Sequence, residues 1–416
     1  MKPFLFGAIL LITLTGTVGA QTPGGGIVVT YKDDISTLDP AIGYDWQNFS
    51  IIKVMFSGLM DYEPGTATLT PNLATDYKVS DDGRTYTFTL REGVVFHNGR
   101  TMTAEDVKYS LERTLDPATR SPGQGFYLGI DGAQAFVDGE AETVSGITVP
   151  DAATVQITLT EPSAPFLHLM ALNFSFVVPR EEVERYGEDF GRNPVGTGAF
   201  RLREWVLGQR LVIERNPEYF REGLPYLDEV VYEIGVEPTV ALLRFQRGQA
   251  DILGDGVPPA QFVPFTSLPA NEALISSGPQ LQTGYLTLNA NVPPFDDVRV
   301  RRAVNMAVNK DRVIQLINGR ATPAAQPLPP LMPGYADGFE GYAYDPEGAR
   351  ALLAEAGFEG GFTTELYATN TDPNPRIAQA LQQDLAAVGV TAELRTQAQS
   401  TVIAAGGEPE GAPMIW

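Results

Sequence analysis

The chain contains no cysteine. Disulfides, iron–sulfur clusters, thiolate zinc sites and a cysteine nucleophile are therefore excluded. Histidine is almost as scarce: His97 and His168 are the only two. A His-rich metal site or a relay of several imidazoles is not expected from so few. Basic residues are also short. Lys+Arg 29 against Asp+Glu 51 leaves a formal net charge of -22. A field of that sign repels nucleic acid and anionic membranes, so neither is an expected partner. Beyond the N-terminus no stretch reaches about 18 consecutive apolar residues, the least that spans a bilayer. The Gly-x-Ser-x-Gly elbow, the Gly-x-x-x-x-Gly-Lys-Ser/Thr phosphate loop, the His-Glu-x-x-His pair and the calcium loop are all missing. Glycines 24–26 precede the first apolar run instead of following it, which is the wrong order for a dinucleotide fingerprint. The expectation is a protein without catalytic residues, metal or cofactor.

What is present is apolar material. Of 416 residues 43% are hydrophobic and only 19% charged, enough for a large buried core and for two or three domains. Residues 1–20 read as a secretory signal peptide: Lys2 is a small positive n-region, Phe4 to Val18 an apolar run, and Val18 and Ala20 the small residues before a cleavage point at Gln21. Export to the periplasm follows. A lipoprotein needs a cysteine after the cleavage point, so the mature form is expected to be no lipoprotein.

Periodicity organises the rest. Ile27–Tyr31 is β-branched and apolar, a first strand. Phe49, Ile52, Met55 and Leu59 share a helical spacing. Ser80–Gly83 is a hairpin turn, and in Arg84–Arg91 Tyr86, Phe88 and Leu90 alternate with threonines, a half-buried strand. Thr103 caps a helix carrying Val107, Leu111 and Leu115. Thr154–Thr160, Arg210–Glu214, Glu229–Ile234, Gly284–Asn289 and Val390–Leu394 are further strands. Helices are expected over Pro238–Gly248, Val298–Val308 and Arg312–Ile317, from Asp345 to Gly357, and along Ile377, Leu381, Leu385 and Val388. Asp116–Gly132, Pro258–Gly278 and Thr322–Gly334, rich in Pro or Gly, read as irregular. Strands dominate the first half and helices alternate with strands in the second, which argues for two or more α/β or α+β lobes. The apolar end Pro413–Trp416 looks like the start of a strand, and the sequence is expected to be a fragment stopping inside a domain.

Asp33-Asp34, Asp81-Asp82 and Asp296-Asp297 are paired carboxylates in turns or before a helix, where local hydrogen bonds favour Asp. His97 precedes the turn signal Asn98-Gly99 and reads as a loop or packing residue. His168 sits in an apolar run and reads as a buried, hydrogen-bonded histidine. Arg299, Arg301 and Arg302 form either a solvated face pairing with Asp296 or Asp297, or a surface for an anionic group. Tyr44, Asp45 and Trp46 follow Leu38-Asp39-Pro40 in a short loop, and Phe126-Tyr127 lies in the Gly-rich loop. Such loop aromatics either stack on a ligand or pack beneath their own loops. Asp45 either pairs with a cationic ligand group or caps the helix that begins near Gln47.

Several runs, in order, resemble the extracytoplasmic solute-binding proteins of family 5, the peptide- and nickel-binding components of ABC importers. They are Thr37-Leu38-Asp39-Pro40; Met55-Phe56-Ser57-Gly58-Leu59 with Pro71-Asn72-Leu73-Ala74; the long run Val79 to Gly99 followed by Thr103-Ala104-Glu105-Asp106-Val107; Pro194-Val195-Gly196-Thr197-Gly198-Ala199-Phe200; and Pro293 to Ala303. The resemblance implies an α/β, two-lobed periplasmic binding protein, a type II-like clamshell with an extra α+β subdomain on lobe 1 and its C-terminal part missing. It divides the chain into a signal peptide (1–20), lobe 1 first segment (21–60), inserted subdomain (61–165), lobe 1 second segment (166–265) and an incomplete lobe 2 (266–416). It implies a peptide or small-molecule ligand held between lobes. It further implies docking of a monomer on an ABC permease served by a separate ATPase. Tyr44, Asp45 and Trp46 are the first candidates for the ligand wall, with Tyr127, Asn173 and Asn289 behind them. A periplasmic hydrolase using paired carboxylates and a binding protein acting as a sensor or receptor are the alternatives.

Overall fold

The computed structural model describes residues 23–416 apart from 277, 279, 331 and 333; the expected signal peptide lies outside the described residues. Two compact units are present, one ending at Gly256 and one running from Val257 to Trp416. The expected start of lobe 2 at residue 266 falls within this second unit. Pro258–Gly278, expected to be irregular, contains a helix, Pro259–Thr266, and a 3-10 turn, Pro269–Leu274. Proline at the first helical position costs no hydrogen bond, and Asn318 Nδ2 donates to the Pro259 carbonyl at 3.1 Å.

The first unit carries two hydrophobic cores. One lies against a five-stranded sheet in the order Ile252–Leu253, Gly26–Tyr31, Glu229–Ile234, Arg210–Arg215, Phe200–Val206. The first three strands are mutually parallel and the last two antiparallel to their neighbours. Val29, Tyr31, Leu211, Ile213, Val230 and Tyr232 bury one side of it beneath the helix Trp46–Met55, whose Ile51, Ile52 and Met55 face inward. The other core belongs to an antiparallel sheet ordered Ala74–Val79, Thr85–Leu90, Thr154–Thr158, Ile147–Asp151. Tyr86, Phe88 and Leu90 point inward at every second position, as a strand requires. The helix Ala104–Leu115 covers this sheet with Val107, Leu111 and Leu115. Its start is fixed by Asp106, whose Oδ2 accepts the Thr103 N–H at 2.8 Å and the Thr103 hydroxyl at 3.2 Å.

The second unit is built on a four-stranded sheet ordered Thr287–Leu288, Met414–Ile415, Phe362–Thr369, Val390–Gln397. The C-terminal apolar run is thus a strand, as its composition suggested. Helices Val298–Ala307, Lys310–Leu316, Pro346–Glu355 and Asn374–Ala387 bury Val300, Val304, Leu353, Ile377 and Leu381 with Phe295 and Met414. The strand Phe362–Thr369 has no counterpart among the expected elements. Its inward residues are Thr364, Leu366 and Ala368, and only one of these is strongly apolar. No helix among the described residues is long and apolar enough to cross a membrane.

Candidate ligand-binding site

The loop from Asp39 to Trp46 is mounted from three sides. Asp39 is nearly buried, and its carboxylate takes both terminal nitrogens of Arg113 at 2.8 and 2.5 Å. Such a two-point pair fixes direction as well as distance. The same carboxylate accepts the Ala41 N–H at 3.0 Å, while the Asp39 carbonyl takes the N–H groups of Ile42 and Gly43. From beneath, Asn173 Nδ2 donates to the carbonyls of Pro40 (2.9 Å) and Gly43 (2.8 Å). At the far end Asp45 caps the helix Trp46–Met55, its Oδ1 accepting the Asn48 N–H at 2.8 Å.

So held, the loop turns apolar side chains outward. Tyr44 is 50% exposed and Trp46 52%, with Ile42 and Phe126 also exposed. Tyr44 lies 5.6 Å from the buried ring of Phe174 and 6.2 Å from Phe49, and Phe126 stacks on Phe174 at 6.1 Å. Trp46 meets Tyr31 edge-on at 5.5 Å, and Tyr31 stacks on Tyr232. Acidic groups stand at the Trp46 end. Burial pushes the Tyr31 phenol up, and the nearby carboxylates of Asp255 and Asp45 add to the effect. Burial likewise raises the Asp255 carboxyl, against the Lys32 N–H that it accepts at 2.7 Å. The whole is an aromatic strip with carboxylates at one end, suited to enclosing apolar groups and attracting a cation.

The six residues named from sequence divide. Tyr44 and Trp46 share the exposed strip, and Asp45 joins them as a helix cap. Asn173 is buried behind the loop as its support. Tyr127 is corrected to a core residue: it is 1% exposed and its hydroxyl donates to the Leu169 carbonyl at 2.9 Å. The 3-10 turn Gln124–Tyr127 rotates Tyr127 inward, in line with Ile130 and Ala133, and leaves Phe126 outside. Asn289 lies in the second unit, where its Nδ2 donates to the Pro409 carbonyl and its N–H to the Pro413 carbonyl. Sequence reasoning missed Phe174, the ring on which the strip rests, and the Asp39–Arg113 pair.

The remaining polar candidates serve their own surroundings. Asp34 accepts the N–H groups of Ile35 and Gly208, and Asp297 pairs with Arg299 while capping its helix. The Asp82 carboxyl is held down at about 2 by the Ser80 hydroxyl and by Arg84. His97 Nδ1 accepts the Gly196 N–H at 3.2 Å and Nε2 lies 3.2 Å from the Gly198 carbonyl. Burial holds this imidazole down at about 4, partly offset by the bond to Gly198, with Arg201 acting in the same direction as burial. His168, expected to be buried, is exposed; its Nδ1 lies 2.8 Å from the Tyr62 hydroxyl. Among the described residues no group of three or more His, Asp or Glu side chains is arranged to hold a metal ion.

Relatives give this geometry a context. The glutathione-binding protein GsiB of Salmonella typhimurium is 31% identical over 371 residues, covering 88% of this chain and 69% of the relative. The murein tripeptide binding protein MppA of Escherichia coli superposes with a TM-score of 0.83 at 28% identity, covering 95% of this chain and 79% of the other. The ABC transporter-associated periplasmic binding protein DppA of Helicobacter pylori, solved with the peptide STSA, gives a TM-score of 0.81, also at 28% identity, covering 95% and 78%. The two-lobed α/β fold of periplasmic binding proteins is therefore the fold of this chain. A family model matches residues 68–411, and with it the chain belongs to the bacterial extracellular solute-binding proteins of family 5.

Proposed function

We propose that this protein is the solute-binding component of an ABC importer and that its solutes are short peptides. The observation that carries the reading is the aromatic strip Tyr44–Trp46–Phe126, mounted rigidly on Asp39–Arg113 and Asn173 in a chain of this family. The three relatives above bind glutathione, a murein tripeptide and the peptide STSA. A peptide offers what the strip can use: apolar side chains for the rings and an ammonium group for Asp45 and Asp255. Because the strip is held in place before the ligand arrives, little ordering entropy is lost on binding. Ligand stabilises the conformation that it contacts most, and the loaded form is the one recognised by the permease. No bond in the solute is made or broken, and a separate ATPase supplies the energy. The protein works in the periplasm as a monomer, after residues 1–20 have been removed during export.

The test is thermal unfolding with glutathione, Ser-Thr-Ser-Ala and a set of di- to pentapeptides. A bound peptide at one hundred times its Kd raises stability by about 2.7 kcal/mol. The peptide should be recovered intact afterwards. A chain whose melting point is moved by none of them, or which cleaves them, is not a peptide-binding component.

A further inference from the structure

The ties from Arg113 and Asn173 act on the loop at Asp39, Pro40 and Gly43, upstream of Trp46. Trp46 itself is half exposed. Among the described residues no hydrogen bond holds its indole, and its one ring neighbour is Tyr31, edge-on at 5.5 Å and 73°. What fixes Tyr31 therefore fixes the inner side of the indole. Tyr31 is buried, and its ring lies parallel to that of Tyr232, 6.1 Å away with 6° between the planes. At the tip its hydroxyl lies 3.2 Å from Ser50 Oγ. Ser50 Oγ gives its own hydrogen to the Gln47 carbonyl at 2.8 Å, so the Tyr31 hydroxyl is the donor to Ser50. Gln47 follows Trp46 directly, and these bonds thus end in the first turn of the helix Trp46–Met55.

The third hold on the ring comes from far along the chain. Gly254 approaches so closely that a Cβ there would overlap Cδ1 and Cε1 of Tyr31 and stand 2.6 Å from the Thr30 carbonyl oxygen. Only glycine leaves the ring that space. Gly254 is in turn tied to the strand Gly26–Tyr31: its N–H donates to the Thr30 carbonyl at 3.0 Å, and the next residue, Asp255, accepts the Lys32 N–H on Oδ2 at 2.7 Å. The residues on either side of Tyr31 are thus bonded to positions 254 and 255, just before the first unit ends at Gly256. A strand, a helix turn and the segment that leaves the unit all meet on one phenol ring.

We propose that Tyr31 is a positioning residue of the ligand wall, setting the angle of Trp46 by way of Ser50 and Gly254. The inference rests on the reading of Trp46 as part of that wall. A ring wedged between Gly254 and the helix turn has one place to be. The indole then keeps, before any ligand arrives, the angle at which an apolar side chain can stack on it. Loosening either contact lets the phenol swing, and the indole with it.

Two measurements on the full chain test this. With Trp205→Phe and Trp416→Phe, Trp46 is the remaining tryptophan of three, and its fluorescence anisotropy decay reports the motion of the indole without ligand. Ser50→Ala and Gly254→Ala should each speed that decay. Gly360→Ala, which adds the same methyl group where nothing stands within 4 Å, should not. The second measurement is a double-mutant cycle, read by calorimetric titration with Ala-Phe-Ala. Ser50→Ala should weaken binding about three-fold and Gly254→Ala about ten-fold, and in a Trp46→Ala background both losses should disappear. Equal losses with and without Trp46 would show that the two residues act on the fold alone and would overturn the assignment, as would an unchanged decay in both variants. Ser50 is exposed, so its variant keeps the test open should Gly254→Ala fail to fold. If the unaltered chain binds no peptide, the peptide reading falls, while the decay still decides the role of Tyr31.

Discussion

The two units present exposed aromatic rings on very different mounts. In the first, Tyr44 and Trp46 sit on a loop tied by a buried two-point ion pair and by an asparagine that donates twice. In the second, Phe339, Tyr342 and Tyr344 lie on a stretch, 336–345, that is exposed at every residue. At its first residue the Gln326 amide gives and takes one bond with the Ala336 backbone at 2.9 and 3.2 Å, and at its last the Asp345 carboxylate accepts the Gly348 N–H. Burial is what separates them. A buried polar tie is costly to break because its groups have no water to turn to, whereas an exposed tie exchanges with solvent at little cost. A rigid mount suits a surface that must be ready before the ligand comes, and a solvated one does not specify a shape.

The contrast can be broken most sharply at Arg113. Arg113→Ala leaves Asp39 buried without its partner and should cost about 3–5 kcal/mol, read as a lower denaturant midpoint of the first unit, with weaker peptide binding. Acid provides the next test. The His97 imidazole is lowered in the folded state, so the unfolded chain takes up a proton first as pH falls. Stability from this group is complete above about 6.5 and is lost between there and about 4, to a limit of about 3 kcal/mol. In the second unit burial raises the Asp384 carboxyl, with the Asn309 N–H and Arg312 opposing. Its folded form takes the proton first, so this group adds stability as pH falls. Hydrogen exchange at pH 7, 5.5 and 4.5 should show protection failing first around Gly196–Gly198 and the helix Trp46–Met55. Equal loss in both units would remove the distinction. The smallest effect is a matched pair. Asn173→Ala, which orphans two carbonyls, should cost about 1–3 kcal/mol, and Gln326→Ala less than about 0.5 kcal/mol, both from urea unfolding.

How much of this was legible in the sequence depended on whether the signal was local. Thr85–Leu90 announced itself through strict alternation, and the helix after Thr103 through its cap and its Val107–Leu111–Leu115 stripe. Phe362–Thr369 did not, because threonine and alanine occupy two of its inward positions. The helix Pro259–Thr266 was hidden by its prolines, which mark a helix start as readily as a loop. At the site, the outward aromatics were readable from the turn Leu38-Asp39-Pro40. Which member of Phe126-Tyr127 faces water was not, since a 3-10 turn has no periodicity long enough to read. The pair Asp39–Arg113 joins residues 74 positions apart, and no local pattern announces such a partner.

The strand Gly26–Tyr31 sits between Glu229–Ile234 and Ile252–Leu253, both some two hundred residues further on. A segment made early therefore has no place to pair until almost the whole first unit has been synthesised. Closing so wide a loop is slow. The same wiring makes the closing of this sheet a late event, one that waits on both distant strands.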